Sequence, residues 1–389
     1  MIDVVLHPGR DRSVRRRHPW VLSGAVARAS GDAAPGAWVR VQSAEGETLG
    51  FGHWSPASQI RVRMLAFGKD APEDGLLAER IAAAVARRAA DPLLADTDSV
   101  RLVNSEGDGL PGLIADRYGD LVTVRLSTAG MDARRALVAD ALRAATGAAA
   151  GFERPDAAAA RREGMAAHQA PLWGAAPAEL IAIHERGRRY WVDAGGGQKT
   201  GFYLDQRDAR DLVQRVAQGR RVLDLFAYTG AFAAAAAQGG AAAATVVDRS
   251  SEALAIAERN FEPWLTSLPL RLECDDVFRF IRREDARYDL VIVDLPPLAR
   301  RQADADRAAR AYKDALLGAL HLTAPDALLL AFSCSHHVGP DLFRKVVFGA
   351  SLDAGRPLTV LAELGAPSDH PVSLDHPEGR YLSGLLLRT

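Results

Sequence analysis

From about Tyr190 to Thr389 the chain repeats one pattern, a short unbroken apolar run followed by a stretch of helix length. The runs are Val222-Leu223-Asp224-Leu225, Ala244-Thr245-Val246-Val247-Asp248, Leu290-Val291-Ile292-Val293-Asp294 and Leu328-Leu329-Leu330-Ala331-Phe332-Ser333. They are too short for buried helices and lack the polar alternation of half-exposed strands. Segments such as Ala231–Gln238 and Ser251–Asn260 lie between them. Continuous apolar strands separated by helices predict an α/β fold, with a parallel-rich, doubly wound sheet covered on both faces.

The 389 residues exceed what one hydrophobic core usually organises, and two other blocks precede this one. Residues 1–70 carry the strand-like runs Ile2–Leu6, Ala37–Val41 and Gln59–Met64. Turns at Glu45-Gly46-Glu47 and Leu49-Gly50-Phe51-Gly52 separate them, predicting a small β-rich domain. Residues 71–189 read as a mixed central domain, with helices over Leu76–Ala90 and about Asp132–Ala145. Its strands fall at Arg101–Asn104, Leu113–Arg117 and Leu121–Leu126, and the alanine-rich stretch Gly151–Gly174 reads as irregular. Residues 190–389 form the third domain.

Composition narrows the function classes. A net charge of −1 gives no overall basic field, so a nucleic-acid surface has to come from local clustering. The basic residues are arginines except Lys69, Lys199, Lys313 and Lys345. Two cysteines, Cys274 and Cys334, make neither a zinc site by themselves nor a disulfide scaffold. No metal is expected. Nothing reads as a signal peptide or reaches the roughly 20 apolar residues of a membrane span, so a reduced cytoplasmic protein is expected.

The most informative segment is Val222–Phe232, where a buried strand ends in Asp224 and a tight turn through Tyr228, Thr229 and Gly230 opens a helix. Eighteen residues beyond Gly230 the next strand also ends in an acid, Asp248. In nucleotide-binding α/β folds the glycine admits the ligand to the backbone, and the second acid accepts the ribose hydroxyls. A single glycine beside an acid disfavours a pyrophosphate and favours a cofactor without phosphates. S-adenosyl-L-methionine, cationic at its sulfonium and amino groups, suits such a site. The competing interpretation is a structural turn with incidental acids. Asp276 follows a third strand and is placed to accept the adenine amino group, with Asp275 the neighbouring alternative; Arg249 and Val277 stand beside these acids. Gly195–Gly201 does not match a phosphate loop, because Gln198 rather than glycine precedes Lys199.

Asp294 ends the fourth strand, and Pro296 and Pro297 follow as a rigid edge against which a flat ring can rest. Cys334, just past the next strand, falls at the same edge. Methylation of a pyrimidine at carbon 5 needs a covalent partner: a thiolate adding at carbon 6 makes carbon 5 enamine-like. The bland alternative is a small buried cysteine. His336 or His337 beside it would favour the thiolate. Cys274 reads as core packing.

For RNA, the run Ser13–Trp20 sets Arg15, Arg16 and Arg17 beside Trp20, and Arg61 and Arg63 share one strand face. Arginines with an aromatic can pair phosphate and stack on a base, although a solvated charge cluster is the commoner truth.

The chain resembles the bacterial large-subunit ribosomal RNA 5-methylcytosine methyltransferases that carry an N-terminal PUA domain. The resemblance rests on HPWVLSGAV (His18–Val26), EGDGLPGLIADRYGD (Glu106–Asp120), GQKTGFYLDQRDAR (Gly197–Arg210), VLDLFAYTGAFA (Val222–Ala233), FSCSHH (Phe332–His337) and DHPVSLDHPEGRYLSGLLLR (Asp369–Arg388). It implies a PUA domain, a central α/β domain and a Rossmann-like methyltransferase domain. By the same resemblance Gln198, Thr200, Phe202, Asp205, Gln206 and Arg207 join Asp224, Tyr228, Thr229, Gly230, Asp248 and Asp276 at the cofactor, Cys334 is the nucleophile, and the protein is a homodimer. One departure stands out: the family usually has Asp-Pro-Pro after the fourth strand, and this chain has Asp294-Leu295-Pro296-Pro297. Two rivals therefore stand beside covalent cytosine methylation. One is methylation of another target without a cysteine nucleophile; the other is an RNA-binding assembly factor that has lost catalysis.

Overall fold

The computed structural model describes residues 1–73, 75–196, 201–298, 304–335 and 337–389. Two compact units result: Met1–Arg186 with Val192–Leu204 and Ser368–Gly379, and Gly187–Trp191 with Asp205–Pro367 and Arg380–Thr389.

The first unit contains two sheets. Strands β1 (Ile2–Leu6), β2 (Trp20–Leu22), β3 (Val26–Ala29), β4 (Trp38–Gln42), β5 (Thr48–Trp54) and β6 (Ile60–Phe67) form one, in the order β2-β6-β5-β4-β1-β3. Only the β1–β4 pair is parallel. Val4, Leu6, Val14, Val39, Val41 and Val62 fill its core. The expected turn Leu49–Gly52 is instead part of β5. Its glycines serve close backbone approach, since a Cβ at Gly50 or Gly52 would collide with the carbonyls of Ala66 and Arg63 beside a bulge.

The second sheet, β11-β10-β9-β8-β7, comprises β7 (Ser99–Asn104), β8 (Leu113–Tyr118), β9 (Leu121–Leu126), β10 (Ala150–Glu153) and β11 (Ala170–Trp173). Helices Leu76–Ala90 and Arg135–Thr146 bury Leu77, Ile81, Val138 and Leu142 in its core. The stretch expected to be irregular holds β10, β11 and the helix Ala157–Glu163. Asp156 caps that helix by accepting the Ala159 N–H at 2.9 Å, a local signal hidden by the alanine run. Strands β12 (Ile181–Glu185) and β13 (Arg188–Val192) follow.

The second unit is built on seven strands: β14 (Arg221–Leu225), β15 (Ala243–Asp248), β16 (Leu270–Cys274), β17 (Tyr288–Leu295), β18 (Thr323–Ser333), β19 (Thr359–Leu364) and β20 (Ser383–Arg388). Their order is β16-β15-β14-β17-β18-β20-β19. The first five are mutually parallel, and β20 runs antiparallel to both neighbours. Side chains alternate strictly between two cores. Leu223, Leu225, Val291 and Val293 face helices Ala305–His321 and Pro340–Ala354 through Tyr312, Leu316 and Phe343. Val222, Leu290 and Ile292 face helices Arg207–Val216 and Ala231–Gln238 through Val213 and Phe232. Both faces are therefore covered, which is why the strands read as unbroken apolar runs.

After β16 the chain returns to the other side of β14. The crevice beyond the carboxyl ends of β14 and β17 is therefore the topological switch point, where open α/β sheets bind ligands.

Candidate active site

At the tip of β14, three of five successive residues take left-handed backbone: Phe226 (φ 61°), Tyr228 (φ 52°) and Gly230 (φ 67°). Two non-glycine residues there store strain of the kind found at ligand sites. The turn is held from outside. Asn260 Nδ2 donates to the Thr229 carbonyl at 2.9 Å, while Asn260 Oδ1 accepts the Trp191 N–H at 2.7 Å. Asn260 is buried, and the sequence signals it only as an asparagine at the end of the expected helix Ser251–Asn260. Gly230 serves packing as well as conformation, since a Cβ there would lie 3.1 Å from the Ala257 Cβ.

Asp224 is buried, and one oxygen accepts the Ala233 N–H at 3.1 Å, at the start of the following helix. Its Oδ1 is buried with no hydrogen-bond partner among the described residues, as is Gln206 Oε1. Burial, with the neighbouring Asp294 and Asp248 carboxylates, pushes the Asp224 carboxyl up to about 8, against the Ala233 N–H that favours ionisation. A cationic ligand with hydrogen-bond donors and no phosphate answers both the unused acceptors and the crowding of negative charge.

Asp248 ends β15, and its two oxygens accept the backbone N–H groups of Tyr228 (2.8 Å) and Ser250 (2.9 Å). It thus ties the two strand-end loops together. Each oxygen keeps a second lone pair for a hydroxyl. Asp276 is exposed and caps the helix Val277–Arg283, accepting the Arg279 N–H at 3.0 Å. Asp275 accepts the Asp276 N–H and pairs with Arg279 and Arg283. Of the two, Asp276 has the freer carboxylate. Val277 is buried in the core, and Arg249 is exposed. Cys274 is exposed rather than packed, because it ends β16, the edge strand of the sheet.

The thiol of Cys334, immediately after β18, donates to Asp294 Oδ1 at 3.5 Å. The other oxygen of Asp294 accepts Gln206 Nε2 at 3.0 Å. Three side chains from separate elements therefore meet at the carboxyl ends of two adjacent parallel strands. Beside them Tyr312, fully buried, shares a hydrogen bond with Ser335 at 3.4 Å. Leu295 continues β17 opposite Ser333 and is 1% exposed, so its side chain joins the core and the loop begins at the exposed Pro296 and Pro297.

The other expected residues are dispersed. Asp205 is buried and accepts the Tyr381 hydroxyl at 2.6 Å. Arg207 is fully buried. Phe202 belongs to the first unit, where its carbonyl accepts the Tyr118 hydroxyl at 3.4 Å. Gln198, Thr200 and His336 lie outside the described residues.

In the first unit Arg15 is bound by Asp11 and Glu47, both at 2.6 Å, whose carboxylates push the guanidinium pKa up. Arg17 lies over the Phe67 ring at 5.1 Å, and Arg16 is exposed. Arg63 is not an RNA-facing partner of Arg61: it is 9% exposed and paired with the buried Glu163 at 2.9 Å. Arg61 stays at the surface over the Trp54 ring.

Comparison with known proteins agrees with the fold of an S-adenosylmethionine-dependent methyltransferase. Residues 131–371 match the model of that family, and residues 4–67 match that of a PUA-like domain. The protein named ribosomal RNA large subunit methyltransferase I of Salmonella arizonae is 40% identical, covering 99% of this chain and 97% of its own. That of Erwinia tasmaniensis is 39% identical, covering 100% and 99%. The chain belongs to this family of S-adenosylmethionine-dependent methyltransferases, and S-adenosylmethionine is its cofactor. A solved methyltransferase in complex with S-adenosylhomocysteine shares the fold over the whole of both chains, with a TM-score of 0.85 at 24% identity. So does an S-adenosylmethionine-dependent methyltransferase of Streptococcus mutans, with a TM-score of 0.83 at 24% identity. Among the described residues no helix is long and apolar enough to cross a membrane.

Proposed function

We propose that this protein methylates carbon 5 of a cytosine in large-subunit ribosomal RNA through a covalent adduct on Cys334. The observation that carries the reading is the 3.5 Å contact between the Cys334 thiol and Asp294 at the switch-point crevice. The names of the relatives supply the substrate class.

In this mechanism Asp294 takes the thiol proton as the Cys334 sulfur bonds to carbon 6 of the ring, and the electron pair released enriches carbon 5. The bound cofactor supplies an electrophilic methyl group. Once carbon 5 is methylated, its proton leaves to water. The sulfur–carbon bond then breaks, carbon 5 and carbon 6 regain their double bond, and Cys334 recovers its proton from Asp294. Gln206 holds Asp294 in place throughout. Asp224, Asp248, Asp276 and the strained turn Tyr228–Gly230 would hold the cofactor, with Gln206 Oε1 and Asp224 Oδ1 as unused acceptors. Pro296 would support the target ring.

Residues 1–70 act as the RNA-binding domain, 71–189 as the central domain and 190–389 as the catalytic domain in this reading. A ribosomal RNA substrate places the enzyme in the cytoplasm. RNA carrying 5-fluorocytosine tests the chemistry, because fluorine cannot leave as a proton does and the adduct persists. A denaturation-resistant protein–RNA species mapping to Cys334 is expected. Full methylation by a Cys334→Ala variant would sink the mechanism.

A further inference from the structure

A second cavity, of about 670 Å³, opens in the first unit, lined by Arg10, His18, Trp20, Ser23, Gln59 and Glu378 among others. Its size falls within the roughly 300–1,000 Å³ of pockets that take small organic groups. Two flat rings contribute to its wall, and both are fixed before any ligand arrives. Trp20 Nε1 donates to Glu106 at 2.8 Å, and the Trp20 ring meets His18 and His376 edge-on, with centroids at 5.8 and 4.6 Å. His376 is itself buried, and neither of its ring nitrogens makes a hydrogen bond among the described residues. His18 Nδ1 accepts the Trp20 N–H at 3.2 Å, so its Nε2 carries the proton and faces both oxygens of Glu378 at 3.3 Å.

Glu378 supplies the carboxylate of this lining. It is a carboxylate 46% exposed on its side chain, so it keeps lone pairs for a ligand. An ionised carboxylate accepts only, and it accepts best from two donors side by side. Among the four bases only guanine presents such a pair on its Watson–Crick edge, N1–H and the N2 amino group. Adenine and cytosine offer one amino donor next to an acceptor, and uracil offers one N–H between two acceptors. Arg10, exposed and without an ion pair among the described residues, adds a cation to the same lining, where a ligand's phosphate can pair with it.

We propose that this cavity takes one unpaired guanine of the RNA, against the wall formed by Trp20 and His18 and with its Watson–Crick edge on Glu378. The proposal rests on the reading that the protein binds RNA, and it names a determinant separate from the methylated cytosine.

The test measures binding of the full-length protein to a short oligouridylate carrying one guanosine, and to versions with adenosine, cytidine or inosine in its place. Guanosine should bind about tenfold or more tightly than adenosine or cytidine, with inosine, which lacks the N2 amino group, in between. Glu378→Gln should abolish that preference while leaving the adenosine version bound as before. Its unchanged thermal unfolding would show that the fold is intact. Equal binding of all four oligonucleotides, or a guanosine preference surviving Glu378→Gln, overturns the pocket alone. Failure to bind any RNA overturns the RNA-binding reading as well.

Discussion

Cys334 and Asp294 sit 40 positions apart in sequence, yet the thiol lies 3.5 Å from the carboxylate oxygen because β17 and β18 are parallel neighbours in register. A thiol facing a carboxylate has a built-in destination for its proton. If the covalent mechanism holds, Cys334→Ser should lower methyl transfer by roughly 10³-fold or more. Cofactor affinity by calorimetry should stay within about a factor of two, because the thiol does not hold the cofactor.

Gln206 spans the distance between the helix it precedes and Asp294, donating at 3.0 Å. Gln206→Leu would remove the amide that donates to Asp294 Oδ2 and loosen the hold on that carboxylate. Turnover should fall about 10- to 100-fold, with a smaller change in KM for RNA, as single-turnover kinetics would show.

Asp224, its carboxyl pushed up to about 8, gives the fold a pH dependence with a definite sign. Between its unfolded value near 3.8 and about 8 the folded state holds a proton that the unfolded chain has lost. Stability associated with this group is full below the lower value, declines as pH rises and is gone above about 8. Asp224→Asn should flatten the melting temperature between pH 6 and 9. If the cationic cofactor binds beside Asp224 as proposed, it favours the ionised form, so binding near pH 7 should release protons, measurable by calorimetry in buffers of different ionisation enthalpy. The Asn variant should release fewer.

Asp248 ties two strand-end loops through the Tyr228 and Ser250 N–H groups. Asp248→Ala should cost about 2–3 kcal/mol of stability by removing the carboxylate that accepts both N–H groups. It should also weaken cofactor binding at least about tenfold. Unchanged affinity would remove Asp248 from the cofactor site.

Arg63 and Arg16 should separate structure from RNA contact. Arg63→Ala leaves Glu163 buried without its cation, although Ser55 and the Ala129 N–H still donate to it. It should destabilise the protein by about 3–5 kcal/mol in chemical denaturation. The slope of log affinity for RNA against log salt should not change. Arg16→Ala should leave stability alone and reduce that slope by about 1 if the exposed guanidinium meets phosphate.

What the linear chain determined was the catalytic scaffold. Four unbroken apolar runs, three of them carrying an aspartate at or next to the end, allow few arrangements besides a sheet covered on both faces. Once the strands are parallel, their carboxyl ends bring Asp224, Asp248, Asp294 and Cys334 to one edge. Tertiary structure alone decided how each polar group is used. Asp205 is taken by Tyr381, Arg63 by Glu163 and Arg15 by Asp11 and Glu47, while Asp224 Oδ1 is left buried without a partner among the described residues. The physical reason is range. Strand formation and burial follow from residues within a few positions of one another, whereas an ion pair or an unmet acceptor depends on side chains that only packing brings together, as Gln206 and Asp294 are across 88 positions.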